Sequence, residues 1–135
     1  MKHDEHKLQA AFVRWFRLQY KPLSRLLFAS LNGAKIAPAS GKGVAHLPES
    51  ARRAIAWKRL EEAGAMPGVA DLFLSIPSGD LCGLYIEMKT PRGKQSDAQK
   101  EFEADVVAQG YGYVMPTTLE EAIRVVTGYI ERGDY

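Results

Sequence analysis

The sequence has a single cysteine, Cys82, among its 135 residues, so an internal disulfide is excluded and a reducing, cytoplasmic setting is expected. It also lacks any apolar run of about 18 residues, and its charged N-terminus leads into no signal-type stretch, so neither a transmembrane helix nor a secretory signal is expected. Internal repeats and low-complexity tracts are absent. Hydrophobic residues make up 46% and charged residues 25%, which argues against disorder, collagen and coiled coil and favours one globular domain spanning 1–135.

Acidic residues are scarce in one part of the chain, between positions 20 and 60. The formal net charge of the whole sequence is only +2, but Glu49 is the one acid in this stretch among many lysines and arginines. Such a distribution predicts a positive field that a phosphate backbone would feel, although a solvated basic surface explains it equally well. Lys42, Arg52 and Arg59 are the candidate DNA-binding residues. Arg52 and Arg59 are seven positions apart, so one helix face presents both.

The periodicity and the turn signals predict the order α-β-α-β-β-α-β-α. Ser96 with Gln99, and Thr118 with Glu121, have the spacing of helix capping boxes. A right-handed crossover should make the last two strands parallel, which gives a small mixed β-sheet flanked by helices. Helices are predicted over 4–20, 48–63, 96–110 and 119–132, with Asp4 as the first N-cap, and strands over 26–31 (buried, closed by an Asn32–Gly33 turn), 69–76, 81–89 and 111–115.

The third strand carries the first chemical signal. Side chains alternate along a strand, so Leu84, Ile86 and Met88 should face the core while Tyr85, Glu87 and Lys89 face the other way. A hairpin whose turn lies at 77–80 is centred near residue 79. Residues that face each other across it therefore have numbers that sum to about 158. Asp71 should therefore lie opposite 86–88, close to Glu87.

Two carboxylates a few ångström apart are costly unless a cation lies between them. Mg²⁺ prefers oxygen ligands, and it can polarise a phosphoryl oxygen and activate water. The neighbouring Lys89 could hold water or stabilise charge developing on the phosphate. The spacing of Asp71, Glu87 and Lys89 thus has a mechanism, metal-assisted phosphodiester hydrolysis. An exposed Glu–Lys pair beside an unrelated aspartate is the alternative interpretation.

Residues 64–91, from Gly-Ala-Met-Pro-Gly-Val-Ala-Asp to Tyr-Ile-Glu-Met-Lys-Thr-Pro, together with Ser96 and Gln99, resemble the VRR-NUC family of virus-type replication-repair nucleases. The segments 5–9 and 32–33 are similar to those of small stand-alone phage and bacterial members. The resemblance covers about residues 4 to 130. It implies a PD-(D/E)xK, restriction-endonuclease-like core and an Mg²⁺- or Mn²⁺-dependent DNA endonuclease.

The resemblance also implies roles for individual residues. Asp71 and Glu87 would be metal ligands together with the Met88 backbone carbonyl, Lys89 would be the catalytic lysine, and Gln99 would lie near the active site. One position departs from the family pattern, because Ala70 stands where a proline usually precedes the metal-binding aspartate. Since the acid itself is kept, the chemistry is expected to survive.

Two further candidates keep two interpretations each. Glu5 shares a helix face with Leu8 and Phe12, so it points toward the protein body, and such a carboxylate needs a partner. It is either an outer-sphere ligand of metal or water, or a first-turn acid favoured by the helix dipole. Gln99 is either an active-site residue or only the third member of its capping box.

No module for reading DNA sequence is visible in 135 residues, so selectivity is expected to come from DNA shape. A symmetric homodimer that prefers branched DNA, with a four-way junction as target, is therefore expected. A sequence-specific restriction enzyme fits this length less well. The alternative from another class is a catalytically inert nucleic-acid-binding or assembly module that keeps the nuclease fold.

Overall fold

The computed structural model describes residues 2–31 and 36–133, without the side chains of Lys2 and His3. The predicted Asn32–Gly33 turn and Lys35 lie outside the described residues. The predicted order of helices and strands is confirmed, and a 3-10 helix at Lys21–Leu26 follows the first helix. The elements are α1 (Lys2–Gln19), β1 (Leu27–Ala29), α2 (Glu49–Glu62), β2 (Leu72–Leu74), β3 (Leu84–Ile86), α3 (Asp97–Ala108), β4 (Gly112–Val114) and α4 (Leu119–Arg132).

The four strands form one mixed sheet in the order β1-β2-β3-β4. β1 and β3 both pair antiparallel with β2, and β4 pairs parallel with β3 after the α3 crossover. Leu72 lies opposite Ile86 and Leu74 opposite Leu84, so the pair numbers sum to 158 as the turn position predicted. The approximate register predicted from the turn is therefore confirmed, and the structure supplies the exact one.

One face of the sheet carries the aliphatic core. Leu84, Ile86 and Met88 are all fully buried there, as the alternation predicted. α1 and α4 cover this face with Phe12 and Tyr129, which belong to the same buried cluster. Burying large apolar side chains contributes roughly 1.5–3 kcal/mol each, so this face is a major source of stability.

The opposite face carries an aromatic cluster under α3. The rings of Phe73 and Tyr85 lie with centroids 4.5 Å apart, and Phe102 of α3 meets Tyr85 edge-on at 5.0 Å. Tyr111 and Tyr113 join this cluster. α3 is thereby fixed over the face to which Glu87 belongs.

Several local predictions need correction. The strands are three residues long each, shorter than predicted, although single ladder hydrogen bonds such as Ser30 to Asp71 and Glu87 to Val114 continue beyond them. β1 is an edge strand in which only Leu27 is buried, since β2 is its one partner among the strands that the structure describes. Asp4 lies inside the first turn of α1, which begins at Lys2, so it is no N-cap. The Thr118 box is only half formed, because Glu121 turns its carboxylate to Thr117.

In the part of the chain that the structure describes, no helix combines the length and the apolar character needed to cross a membrane.

Candidate active site

Asp71 and Glu87 lie beside each other at one end of the sheet. Asp71 directly precedes β2 and Glu87 directly follows β3, and the 158 sum makes them cross-strand partners. Their backbones are held from both sides, because the Ser30 amide donates to the Asp71 carbonyl at 2.9 Å and the Glu87 amide to the Val114 carbonyl at 2.9 Å. The prediction that the two acids lie close together is thus confirmed, and backbone pairing is what places them there.

The Asp71 carboxylate is fixed by the backbone of the next strand. Its Oδ2 accepts a hydrogen bond of 2.8 Å from the Met88 amide. Met88 is held in turn, since its side chain is fully buried in the core on the other face. Core packing therefore positions the aspartate through one amide. The predicted role of the Met88 carbonyl as a ligand stays a prediction.

The Glu87 carboxylate is only 2% exposed and is incompletely paired. Its Oε2 accepts a hydrogen bond of 3.2 Å from Gln99 Nε2 and lies 3.9 Å from Lys89 Nζ. Its Oε1 is buried and forms no hydrogen bond within the described residues. A buried acceptor without a donor is destabilising unless something else occupies the space before it.

The electrostatics of the pair favour protons over bare anions. Burial raises the pKa of Glu87 to about 8, and the charge of Asp71 adds to this. Burial also raises the pKa of Asp71, although the hydrogen bond from the Met88 amide opposes that rise. The charge of Glu5 acts on both carboxylates in the same direction, so Glu5 lies within electrostatic reach of the pair.

Lys89 lies on the same side of the strand as Glu87 and is 8% exposed. Its ammonium lowers the pKa of both carboxylates, but less than burial raises them. The turn after the strand packs on its stem, because a Cβ at Gly93 would come within 3.2 Å of Lys89 Cδ. Glycine at this position therefore leaves room for the lysine beside the acids.

Gln99 completes its capping box and also contacts Glu87, so it is more than the third member of the box, while its role in the active site stays a prediction. Its Oε1 accepts from the Ser96 amide at 2.9 Å and its backbone amide donates to Ser96 Oγ at 3.1 Å, which completes the capping box. The remaining side-chain nitrogen donates to Glu87. One residue thus starts α3 and ties it to the acid at the end of β3.

Gly68 is a positioning residue that the sequence analysis missed. Its φ is +86°, a left-handed conformation that favours glycine, and a Cβ there would lie 2.4 Å from the Ala98 carbonyl oxygen. The chain leading to Asp71 passes against the first turn of α3 at this point. The Pro67–Gly68 pair was the available signal, but a turn was all it indicated.

The donor set fits a hard divalent cation. Asp71 and Glu87 supply carboxylate oxygens, and burial raises the pKa of both carboxyl groups. Glu87 Oε1 forms no hydrogen bond to the described residues, so it could bind a cation directly. No group of three or more His, Cys, Asp or Glu side chains arranged to hold a metal occurs in residues 2–31 and 36–133. Backbone carbonyl and water would complete such a shell, and Mg²⁺ usually keeps several waters.

The predicted DNA-binding residues differ in their surroundings. Lys42 and Arg59 are exposed, on the 41–47 turn and on α2. Arg52 is half-buried, and its guanidinium donates to the carbonyls of Leu47 and Ala39 at 3.3 and 3.4 Å, so it anchors the loop that precedes α2. Only Lys42 and Arg59 of this set therefore present an unengaged charge within the described residues.

A groove of about 480 Å³ lies elsewhere, between α1 and β1. Its walls include Arg14 and Arg17, and neither of the paired carboxylates lines it. The acids thus lie outside this groove, at one end of the two central strands.

A solved structure described as a VRR_NUC domain protein is similar to this chain. The two superpose with a TM-score of 0.69 and are 26% identical, over 96% of this chain and 90% of that one. The chain folds as a VRR-NUC domain. No protein-family model matches the sequence, and a search of curated proteins found no match. The sequence resemblance and the VRR-NUC fold therefore agree over nearly the whole chain.

Proposed function

We propose that this protein is a metal-dependent DNA endonuclease, acting with Mg²⁺ or Mn²⁺. The observation that carries the proposal is the buried pair of Asp71 and Glu87, in which Glu87 Oε1 forms no hydrogen bond to the described residues. Burial raises the pKa of both carboxyls, and a cation between them would offset the cost of ionising them. The VRR-NUC fold supports it, because that family name describes nucleases.

Asp71, Glu87 and the Met88 carbonyl would hold the cation, which when bound would polarise a phosphoryl oxygen and favour ionisation of water. Glu87 would hold the cation in its ionised form, and a cation beside it would offset the burial and the Asp71 charge that raise the pKa of this carboxyl. Gln99 holds the ionised Glu87 in place through Oε2. The Lys89 ammonium stabilises the negative charge that develops on the phosphate.

The reaction is hydrolysis of a phosphodiester. The oxygen of water forms a bond to phosphorus, and the bond from phosphorus to the 3′ oxygen breaks. The leaving 3′ oxygen takes a proton, so the products are a 5′-phosphate and a 3′-hydroxyl. The direct test incubates the purified protein with DNA and Mg²⁺, and analysis of the ends checks the polarity of the cut.

DNA contact is assigned to the basic surface of residues 20–60. The exposed charges of Lys42 and Arg59 support this, because neither forms an ion pair within the described residues. Contacts of this kind are made to phosphates and add affinity without reading sequence. Binding should accordingly weaken steeply as salt rises.

Branched DNA, with a four-way junction as the leading substrate, is the proposed target, and a homodimer the proposed assembly. Two active sites related by a two-fold axis match the symmetry of a junction that needs two cuts. Cleavage rates on single-stranded, duplex, flap and four-way junction DNA test the substrate. Light scattering at micromolar concentration tests the dimer, and a particle of about 15 kDa, the mass of one chain, would refute it.

An inert binding or assembly module is the competing function. It predicts DNA binding with no cleavage under any divalent cation. Cleavage that disappears in the Glu87→Gln protein excludes the competing function, whereas binding alone would establish it.

A further inference from the structure

Two buried side-chain oxygens form no hydrogen bond within residues 2–31 and 36–133, and both lie in one row of the sheet. They are Ser30 Oγ and Glu87 Oε1. The β1–β2 register continues one residue beyond β1, because the Ser30 amide donates to the Asp71 carbonyl at 2.9 Å. Asp71 is the cross-strand partner of Glu87 in turn. Ser30, Asp71 and Glu87 therefore stand side by side on three neighbouring strands.

The three side chains point to the same side of the sheet, since directly opposed residues of antiparallel strands share a face. This is the side covered by α3, from which Gln99 reaches Glu87. Ser30 is only partly buried as a residue, but its hydroxyl oxygen is enclosed. A hydroxyl without a partner in such a place is destabilising, so the observation needs an explanation.

The spacing of the strands limits what that partner can be. Adjacent strands lie about 4.8 Å apart, so Ser30 and Glu87 are separated by roughly 10 Å at the backbone. Mg²⁺ binds oxygen at about 2.1 Å, which is too short for one ion between Asp71 and Glu87 to bind Ser30 Oγ directly. A water in the hydration shell of that ion, on the Asp71 side, would be within the reach of the hydroxyl.

We propose that the Ser30 hydroxyl hydrogen-bonds the hydration shell of a divalent cation held by Asp71 and Glu87, and thereby sets the affinity for the cation. The inference rests on the proposed function, because it requires the cation site. Ser30 is in this view a positioning residue, which acts on the cation through water. Binding of the hydrated cation would then give both the Ser30 hydroxyl and Glu87 Oε1 a partner.

The test is calorimetric titration of the full-length protein with MnCl₂ and with MgCl₂, without DNA. Ser30→Ala should weaken cation binding about ten-fold, as loss of outer-shell partners does elsewhere, and Ser30→Thr should restore it by keeping the hydroxyl. Ser75→Ala is the matched control, because Ser75 lies at the far end of β2 and its Oγ donates to the Leu26 carbonyl. This control should bind the cation as the native protein does.

A second readout separates the proposal from a structural role of Ser30. In excess EDTA, Ser30→Ala should melt no lower than the native protein, because the variant loses no internal hydrogen bond of the described residues. Equal cation affinities of Ser30→Ala and native protein would overturn this inference alone. Absence of cation binding in the native protein would overturn the proposed metal site and this inference with it.

Discussion

Gln99 Nε2 donates a hydrogen bond of 3.2 Å to Glu87 Oε2, which joins the first turn of α3 to the end of β3. The same side chain closes the capping box of α3 with its oxygen. The Gln99 side chain therefore contacts both the start of α3 and the carboxylate of Glu87, so replacing Gln99 removes both contacts together.

Gln99→Ala should affect activity more than its effect on stability explains. Ser96→Ala is the matched comparison. Each variant loses a cap hydrogen bond worth about 1 kcal/mol of unfolding free energy, but only Gln99→Ala also loses the hydrogen bond to Glu87 Oε2. We expect a roughly ten-fold larger loss of cleavage rate in Gln99→Ala. Denaturant melts and cleavage rates of the two variants check this. Equal rates would mean that Gln99 serves only as a cap.

Glu87→Gln and Lys89→Ala should each abolish most DNA cleavage, by about 100-fold or more. Both side chains lie on the face opposite Leu84, Ile86 and Met88, so the aliphatic core is left intact. Binding to uncleaved DNA and far-UV circular dichroism should stay near those of the native protein. Exposed Glu62→Gln is the matched control and should cleave normally. Full activity in either site variant would refute the active-site assignment.

Without cation, stability should fall as pH rises from about 5 to about 8. The pKa of Glu87 is 4.5 in its ordinary environment and about 8 in the folded protein, so the folded state binds more protons between these values. The free energy of unfolding therefore decreases with pH in this window. Melts in excess EDTA measure it, and Glu87→Gln should flatten the slope. A native melting temperature that rises through this window would contradict the pKa direction.

Cleavage should require Mg²⁺ or Mn²⁺ and stop with chelator. Ca²⁺ should bind, because it also prefers carboxylate oxygens, but its looser coordination should support little turnover. Each cation should raise the melting temperature of the native protein, since a ligand that binds only the folded state stabilises it. Asp71→Asn should lose this stabilisation. Cleavage in excess EDTA would refute the metal mechanism.

Arg59→Ala and Lys42→Ala should weaken binding to all DNA sequences similarly and flatten its salt dependence. Arg52→Ala should do more, because Arg52 also holds the carbonyls of Ala39 and Leu47. Fluorescence anisotropy at several salt concentrations measures the first effect. Limited proteolysis of the loop between 39 and 47 measures the second, with Arg59→Ala as the control. A change in sequence preference instead would contradict backbone binding.

Alternation and turn position were enough to predict the row of the sheet in which the acids lie. Leu84, Ile86 and Met88 alternate with Tyr85 and Glu87, and a side-chain period of two leaves only one way to bury the apolar set. Once the hairpin turn is placed, Asp71 falls opposite 86–88, and the structure sets its partner as Glu87. Capping at Ser96 was equally local, because a cap needs only residues three positions apart.

Sequence alone therefore determined the order of elements, the approximate register of the central hairpin and the proximity of Asp71 to Glu87, since each depends on interactions between near neighbours along the chain. Tertiary structure decided that Glu87 is enclosed, that Gln99 reaches it and that Ser30 stands beside Asp71 with a hydroxyl that bonds to none of the described residues. These features arise where α3 and β1 meet the ends of the central strands. Burial and the raised pKa of Glu87 are properties of that assembled environment, which no local pattern encodes.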